Sequence, residues 1–379
     1  MRVLFSCTGG VGHFLPLQPL ARAFSDGGHA VAFATSDDRR EDVAAAGYEH
    51  LAAGASLAEI QGRMAPHRER MRDLPVHERR THSFRWRFAV CDAPYKVDGL
   101  TAAARSWEPD LIVSESGDLA APIVSALLDV PLAHQGFGRI VPIACWELAS
   151  DEVAPLWRAA GLEPEPLCGA FRNTYVDICP PSFQTAALPP VPVVERLRPA
   201  APEPGARAPL FDGLPERPTV YVTLGTVVNA IDDFRLVLGA LADLDANVVA
   251  TIGRNNDPSD LAPVPANAVV ERFVPQAQIL PHCDLVVAHG GSGSTLATMA
   301  HGLPMLMLPM AADQFENAKH CAELGIALVL YPDEVAADSV RGGVRELLAD
   351  PAYRARARAL ADEIAAMPSA SEVAARLAT

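Results

Sequence analysis

The sequence predicts an α/β protein made of two doubly wound units, and three observations carry that reading. Short β-rich apolar runs alternate with longer segments of helical period, the pattern of a parallel sheet covered by helices. The alternation breaks off in a proline-dense stretch and then restarts. The 379 residues, half of them hydrophobic, suffice for two cores of ordinary domain size.

In the first half, strands are expected near 2–7, 30–34, 110–114 and 131–134, with helices near 14–27, 39–46, 94–107 and 119–128 as the crossovers of a doubly wound sheet. Two segments, 56–95 and 136–150, interrupt the alternation with helical, aromatic-bearing sequence. Prolines at 180, 181, 189, 190, 192, 199, 202, 204, 209, 215 and 218 are then too dense for a helix interior or a central strand. The second half restarts with strands near 219–224, 247–252, 268–272, 284–288 and 305–308 and helices near 233–243, 292–302, 315–324, 335–349 and 351–366. The expected division is an N-terminal domain 1–181, a proline-rich linker 182–217, a C-terminal domain 218–366, and a segment 367–379 that packs back on the first domain.

A formal charge of −15 argues against nucleic acid or an anionic membrane as general partners, because both demand a basic face. Seven scattered cysteines without CxxC spacing fit reduced thiols better than disulfides or zinc. Met1-Arg2 leads straight into Val3-Leu4-Phe5, and no later stretch approaches the ~18 apolar residues of a membrane span. The expected setting is the cytoplasm and the expected partners are small molecules. Monomer or homodimer both remain open, as does the need for a helper protein.

The most informative run is Val286-Val287-Ala288-His289-Gly290-Gly291-Ser292-Gly293-Ser294-Thr295, a buried strand opening through a glycine-rich loop into a helix. Free N–H groups and the helix dipole make such a junction an anion site, here for a diphosphate, and His289, Ser292, Ser294 and Thr295 add donors. A Walker lysine is missing, which disfavours an ATPase or GTPase.

The N-terminal domain carries its own strand-to-helix loop, Cys7-Thr8-Gly9-Gly10-Val11-Gly12-His13-Phe14. Gly10 and Gly12 begin a dinucleotide fingerprint, but Leu15 occupies the third glycine position. The loop instead puts His13 at the mouth of the sheet, where an imidazole is suited to accept a proton near neutral pH. A carboxylate is needed to orient it. Glu115 ends the strand Asp110-Leu111-Ile112-Val113-Ser114, and Asp118 follows at the next helix start, where it equally suits a cap.

With these motifs in place, the chain resembles nucleotide-sugar-dependent glycosyltransferases of the GT-B fold, in the natural-product group of actinobacterial type. The resemblance spans nearly the whole chain. It is carried by Arg272-Phe273-Val274-Pro275-Gln276, then His289 to Thr295, then Asp313-Gln314, in the family's order and spacing. It implies two doubly wound domains facing each other across a cleft, a base held by Phe273 and Val274, and a diphosphate met by His289, Gly291 and Ser294. Gln276, Ser292 and Gly293 belong to the same donor-binding signature, and Thr226 matches a further phosphate-contacting position. Asp313 and Gln314 match the pair that binds sugar hydroxyls, His13 the general base, and Glu115 its acidic partner.

Two departures bear on the donor. Phe273 stands where a stacking tryptophan is usual, and Ala297 stands where many relatives carry a glutamate that grips ribose hydroxyls. A dTDP-deoxysugar is therefore favoured over a UDP-sugar as co-substrate, with no other cofactor. The resemblance implies an inverting, metal-independent transfer in which the 292–302 helix start and His289 stabilise the leaving diphosphate. The one DxD, Asp243-Leu244-Asp245, falls in a helix-to-strand turn and reads as turn chemistry.

For the acceptor, expected as a polyketide, macrolide or enediyne-like aglycone, candidate pocket residues are Met64, Phe84, Trp86, Phe88, Phe137 and Trp146. Aromatic residues at helical spacing are also the ordinary makings of a core. Rival functions are a catalytically silent nucleotide-sugar-binding partner protein, an oxidoreductase, and a sugar-nucleotide epimerase.

Overall fold

In the computed structural model the chain forms two units, each built on its own all-parallel sheet. Residues 1–184, 186–199, 207–225, 230–253 and 256–379 are described, with the side chains of all but 76 and 77. Unit 1 comprises 1–179, 184–198 and 368–379, and unit 2 comprises 180–183 and 199–367.

Unit 1 contains β1 (Arg2–Ser6), α1 (Val11–Phe14), α2 (Gln18–Asp26), β2 (Ala30–Thr35), α3 (Arg40–Ala45) and β3 (Glu49–Ala52). It continues through α4 (Leu57–Asp73), α5 (Val76–Phe84), α6 (Val97–Trp107), β4 (Leu111–Glu115), α7 (Ala121–Leu128) and β5 (Leu132–Gln135). It is completed by α8 (Ile143–Ala159), β6 (Thr174–Asp177) and β7 (Val193–Arg196). The strand order is β3-β2-β1-β4-β5-β6-β7. Successive strands step one way from β1 and then the other way from β4. The carboxyl ends of β1 and β4 therefore flank the point where the winding reverses, the place at which such sheets hold ligands.

Unit 2 repeats the arrangement with β8 (Thr219–Thr223), α9 (Ile231–Leu241), β9 (Asn247–Thr251), β10 (Ala268–Glu271), β11 (Leu285–Ala288) and α10 (Ser292–Ala300). There follow β12 (Met305–Met307), α11 (Gln314–Glu323), β13 (Ala327–Val329), α12 (Ala337–Ala349) and α13 (Pro351–Ala365). Its order is β10-β9-β8-β11-β12-β13, so the reversal falls between β8 and β11. The last helix, α14 (Ala370–Leu377), belongs to unit 1 and packs against α2.

The central strands bury both faces. In β4, β8, β9 and β11 every residue is buried, which is why they read as continuous apolar runs and lack alternation. Among the described residues, three of the four edge strands, β3, β7 and β13, escaped the sequence reading, as did β6 beside the edge, whereas the edge strand β10 was read. Glu49–Ala52 is half polar, Val193–Arg196 lies just past a run of prolines, and Ala327–Val329 has only three residues.

The expected linker 182–217 is accordingly divided. Residues 184–198 join unit 1 and supply its edge strand β7, where Pro189, Pro190 and Pro192 precede the ladder and remove no bond from it. Residues 207–217 join unit 2, with Phe211 buried against the His282 ring at 5.2 Å.

The long excursion between β3 and β4 begins at a capping box. Ser56 Oγ accepts from Glu59 N–H at 3.3 Å, and Glu59 Oε2 accepts from Ser56 N–H at 2.8 Å. Ahead of α6 it passes through a π-helical turn over Arg85–Val90. Such wider turns rotate the side chains that follow out of the α-helical register and recur at functional sites. Here the turn keeps Trp86 buried and carries Phe88 to the imidazole of His13.

Among the described residues, no helix is long and apolar enough to cross a membrane.

Candidate active site

In unit 1, β1 ends at Ser6 and the loop that follows leads into α1, whose third residue is His13. Ser6 pairs with Ser114, so the residue that closes β4, Glu115, comes to the same end of the sheet as this loop. His13 Nδ1 lies 2.8 Å from Glu115 Oε2. Glu115 is wholly buried, while the imidazole remains 20% exposed. The other carboxylate oxygen, Oε1, accepts Thr8 N–H at 3.2 Å, and Oε2 also accepts Gly117 N–H at 2.5 Å.

Burial alone would raise the pKa of this carboxyl, but the facing His13 and the two backbone donors hold it down at about 2. An ionised Glu115 can only accept, so His13 Nδ1 is the donor in this contact. The rings of Phe88 and Phe137 stand edge-on to the imidazole at 5.4 and 5.1 Å. Gly117 makes room for Phe88 and His13. A Cβ there would lie 2.6 Å from Phe88 and 3.1 Å from His13.

Asp118 does a different job from the one expected of a catalytic carboxylate. Its Oδ1 accepts the N–H groups of Ala120 and Ala121 at the start of α7, at 3.2 and 3.1 Å. Its Oδ2 accepts from Ser6 Oγ at 2.5 Å and pairs with Lys96 Nζ at 2.8 Å. A short acidic side chain at a helix start, neutralised by a buried lysine, has no lone pair to spare for His13.

Lys96 is 1% exposed and also donates to the Cys7 carbonyl at 2.6 Å. Burial works to lower its pKa, yet Asp118 and other neighbouring anions keep it above the ordinary lysine value. Sequence reasoning missed this lysine, since a single cation in a segment without clear period gives no local signal.

The six acceptor-pocket candidates separate. Phe88 and Phe137 stand at His13. Phe84 and Trp146 are core: their rings meet at 5.2 Å, Trp146 is 1% exposed, and its Nε1–H donates to the Val141 carbonyl at 3.2 Å. Met64 and Trp86 belong to a small separate cluster with Ile60 and Cys91, where His67 stacks on Trp86. For these four, helical spacing signalled packing and not a pocket lining.

In unit 2, β11 runs into His289-Gly290-Gly291 and then α10. Gly290 takes φ +87°, a left-handed conformation that side chains with a Cβ rarely adopt. The His289 ring is seated between Gly225, at the end of β8, and Gly291. A Cβ would come within 2.7 Å of it at the first and 2.5 Å at the second. Burial lowers the His289 pKa, with Asp313 and the Thr223 backbone acting the other way.

Ser292 Oγ donates to Asp313 Oδ2 at 2.5 Å. Asn317, one helical turn beyond Asp313, ties the loop together: its Nδ2 donates to the Gly290 carbonyl at 3.0 Å, and to Ser292 Oγ and Asp313 Oδ2 at 3.1 Å each. That residue too was missed, although its i,i+4 spacing from Asp313 was a usable signal. Gln276 Nε2 donates to Ser294 Oγ at 3.2 Å. The side-chain oxygen Oε1 of Gln314 accepts from Met310 and Ala311 N–H at 2.8 and 2.9 Å, holding the turn ahead of α11.

Phe273 is half-exposed and, with Val274, lines a pocket of about 290 Å³ alongside Pro209, Leu210 and Glu271. Among the described residues a Cβ at Gly293 would meet nothing within 4 Å, and the first-turn N–H groups of α10 have no helical acceptor. Thr226 lies outside the described residues. In the DxD turn, Asp245 projects into solvent and faces Arg217 at 3.5 Å.

One unit thus presents a carboxylate-oriented imidazole, the other a glycine-rich helix start suited to phosphate, each at its sheet's reversal point. That is the equipment of a GT-B glycosyltransferase. The chain belongs to the actinobacterial natural-product glycosyltransferases: the model of the erythromycin biosynthesis protein CIII-like N-terminal domain matches residues 22–195, and that of the C-terminal domain matches 235–379. It is 33% identical to the elloramycin glycosyltransferase ElmGT of Streptomyces olivaceus over 100% of this chain and 97% of that protein. It is 31% identical to the L-demethylnoviosyl transferase of Streptomyces niveus over 100% and 98%. Among solved structures it superposes on the Streptomyces sp. SF2575 glycosyltransferase SsfS6, complexed with thymidine diphosphate, with a TM-score of 0.81 at 25% identity, covering 100% of this chain and 99% of that one. The chain is a glycosyltransferase of natural-product pathways.

Proposed function

We propose that this glycosyltransferase moves a deoxysugar from a dTDP-sugar to a hydroxyl of a hydrophobic polyketide, macrolide or enediyne-like acceptor, with inversion and without a metal. The observation that carries the reading is the 2.8 Å contact between His13 and Glu115, with Glu115 itself held by two backbone N–H groups. His13 Nε2 takes the acceptor proton as the oxygen attacks the anomeric carbon in line, and the charge formed on the ring is stabilised by Glu115. The departing diphosphate is received by the first turn of α10 and by His289, which concentrate positive potential without a cation. Phe88 and Phe137 supply the apolar flank of the acceptor site.

Phe273 offers a half-exposed ring for the nucleotide base, and Asp313 a carboxylate for sugar hydroxyls. The preference for dTDP rests on Ala297, which leaves no carboxylate for a ribose 2′-hydroxyl, and is in keeping with the thymidine diphosphate held by SsfS6. Calorimetric titration with dTDP, UDP and NADH, in metal-free buffer and again with magnesium, tests the proposal. Tight dTDP binding without magnesium is expected. Binding of NADH with neither nucleotide would overturn it in favour of an oxidoreductase.

A further inference from the structure

We infer that Lys96, with Asp118, is a positioning residue for the general base, acting through the Cys7–Thr8 peptide group and Glu115. The inference rests on the reading of His13 as the base. Its basis is a continuous chain of contacts in which one peptide unit is held at both ends. The carbonyl of that unit, Cys7 C=O, accepts from Lys96 Nζ at 2.6 Å, and its N–H, on Thr8, donates to Glu115 Oε1 at 3.2 Å. The opposite carboxylate oxygen, Oε2, faces His13 Nδ1 at 2.8 Å. Behind the lysine, Asp118 Oδ2 sits at 2.8 Å from Nζ and is itself held by Ser6 Oγ.

Two physical points make this more than packing. A fully buried ion pair is a poor source of stability, because desolvating both charges offsets much of their attraction, and apolar residues of similar volume would fill the space as well. What an apolar side chain cannot do is draw on a carbonyl. A cation on Cys7 C=O polarises the peptide and strengthens the donation of its N–H, the cooperative gain of hydrogen bonds in series. Thr8 N–H is also the donor to the one Glu115 oxygen turned away from His13. Its grip sets the rotation of the carboxylate, and with it the direction in which Oε2 presents itself to Nδ1. Lys96 is buried and bonds to the Cys7 carbonyl and Asp118, not to His13, so its effect passes through this peptide.

The test is Lys96→Met/Asp118→Asn, which removes both charges together so that neither is left buried alone. Protein labelled with 15N at histidine reports the His13 tautomer without any substrate, its signals being identified by their loss in His13→Ala. The parent should show a single Nδ1–H tautomer and the double variant a mixture. With a turned-over donor and acceptor, dTDP release should slow about tenfold in kcat at unchanged donor KM. In a His13→Ala background the same double substitution should cause no further loss.

An unchanged His13 spectrum with unchanged kcat, or a full multiplicative loss on top of His13→Ala, overturns the inference. If His13→Ala itself retains turnover, the base assignment falls, and the spectrum still decides whether Lys96 orients the ring. Should the double variant not fold, Lys96→Gln/Asp118→Asn keeps an N–H for the Cys7 carbonyl and drops both charges. It should shift the tautomer balance in the same direction, and an unchanged spectrum again overturns the inference.

Discussion

The two units share a strand order and place their working groups at the same point of it, yet they equip that point in opposite ways. In unit 1 the chemistry sits in side chains: His13, Glu115, Lys96 and Asp118 form a bonded chain with charges deep in the protein. In unit 2 it sits in the backbone, at a helix start flanked by glycines, with one imidazole wedged between Gly225 and Gly291. Under the proposed function the contrast follows from the two tasks. Accepting a proton needs one atom aimed and its proton affinity set, whereas receiving a diphosphate needs many weak donors and room for the ligand to come close to the main chain.

The largest effect should come from unit 1. His13→Ala is expected to cut turnover by about 10²–10⁴-fold while calorimetric dTDP affinity stays at the parent value. Loss of dTDP binding would mean that the side-chain unit is not the catalytic one.

Next in size, Trp146→Ala should destabilise the fold by about 3–5 kcal/mol in urea unfolding, because it empties a fully packed aromatic site. A small stability loss coupled to a lost acceptor would return Trp146 to the pocket.

In unit 2, His289→Ala and Gly291→Ala should each weaken dTDP binding by about 1–3 kcal/mol, the first by deleting a donor and the second by displacing the same ring. If Gly291→Ala binds normally, the seat of His289 is not what shapes the loop.

The smallest effect separates the units by pH. His134, fully buried on β5, has its pKa pulled from 6.5 to about 4 by burial, against the pull of Glu115 and Asp118. The unfolded chain takes up its proton below pH 6.5 while the native protein refuses it until about 4. Stability is therefore full above 6.5 and is lost as pH falls, by about 2 kcal/mol between pH 7 and pH 5. His134→Gln should flatten this part of the urea-unfolding profile, and an unchanged slope would assign the loss elsewhere.

What could be read from residues alone follows the same division. The strands flanking each reversal point, β1, β4, β8 and β11, are apolar runs whose order makes their ends neighbours. His13 and Glu115 could therefore be paired across 102 positions of sequence, and the 2.8 Å contact agrees. The glycine-rich loop after β11 was legible because glycines cluster where a strand meets a helix. The edge strand Glu49–Ala52 was not, since its residues are half polar and only partly buried. Nor was the work of Asp118, a helix start and a base partner being equally served by an aspartate until Lys96 appears beside it. Phe88 and Phe84 are four residues apart with the same ring, and only the π-helical turn and its neighbours tell which one meets the imidazole.

The return of the chain to unit 1 has a practical consequence for recombination between related enzymes. Helix α14 lies against α2, Arg198 N–H bonds the Pro368 carbonyl at 2.8 Å, and Arg376 pairs with Glu195 at 2.7 Å. A hybrid joined once, in the proline-rich stretch, would therefore graft a foreign terminal helix onto the unit that holds His13, leaving Val373 and Ala374 to pack against a surface they did not evolve with. Exchange of donor specificity by swapping halves calls for a second junction near residue 367, so that the last helix travels with the first unit.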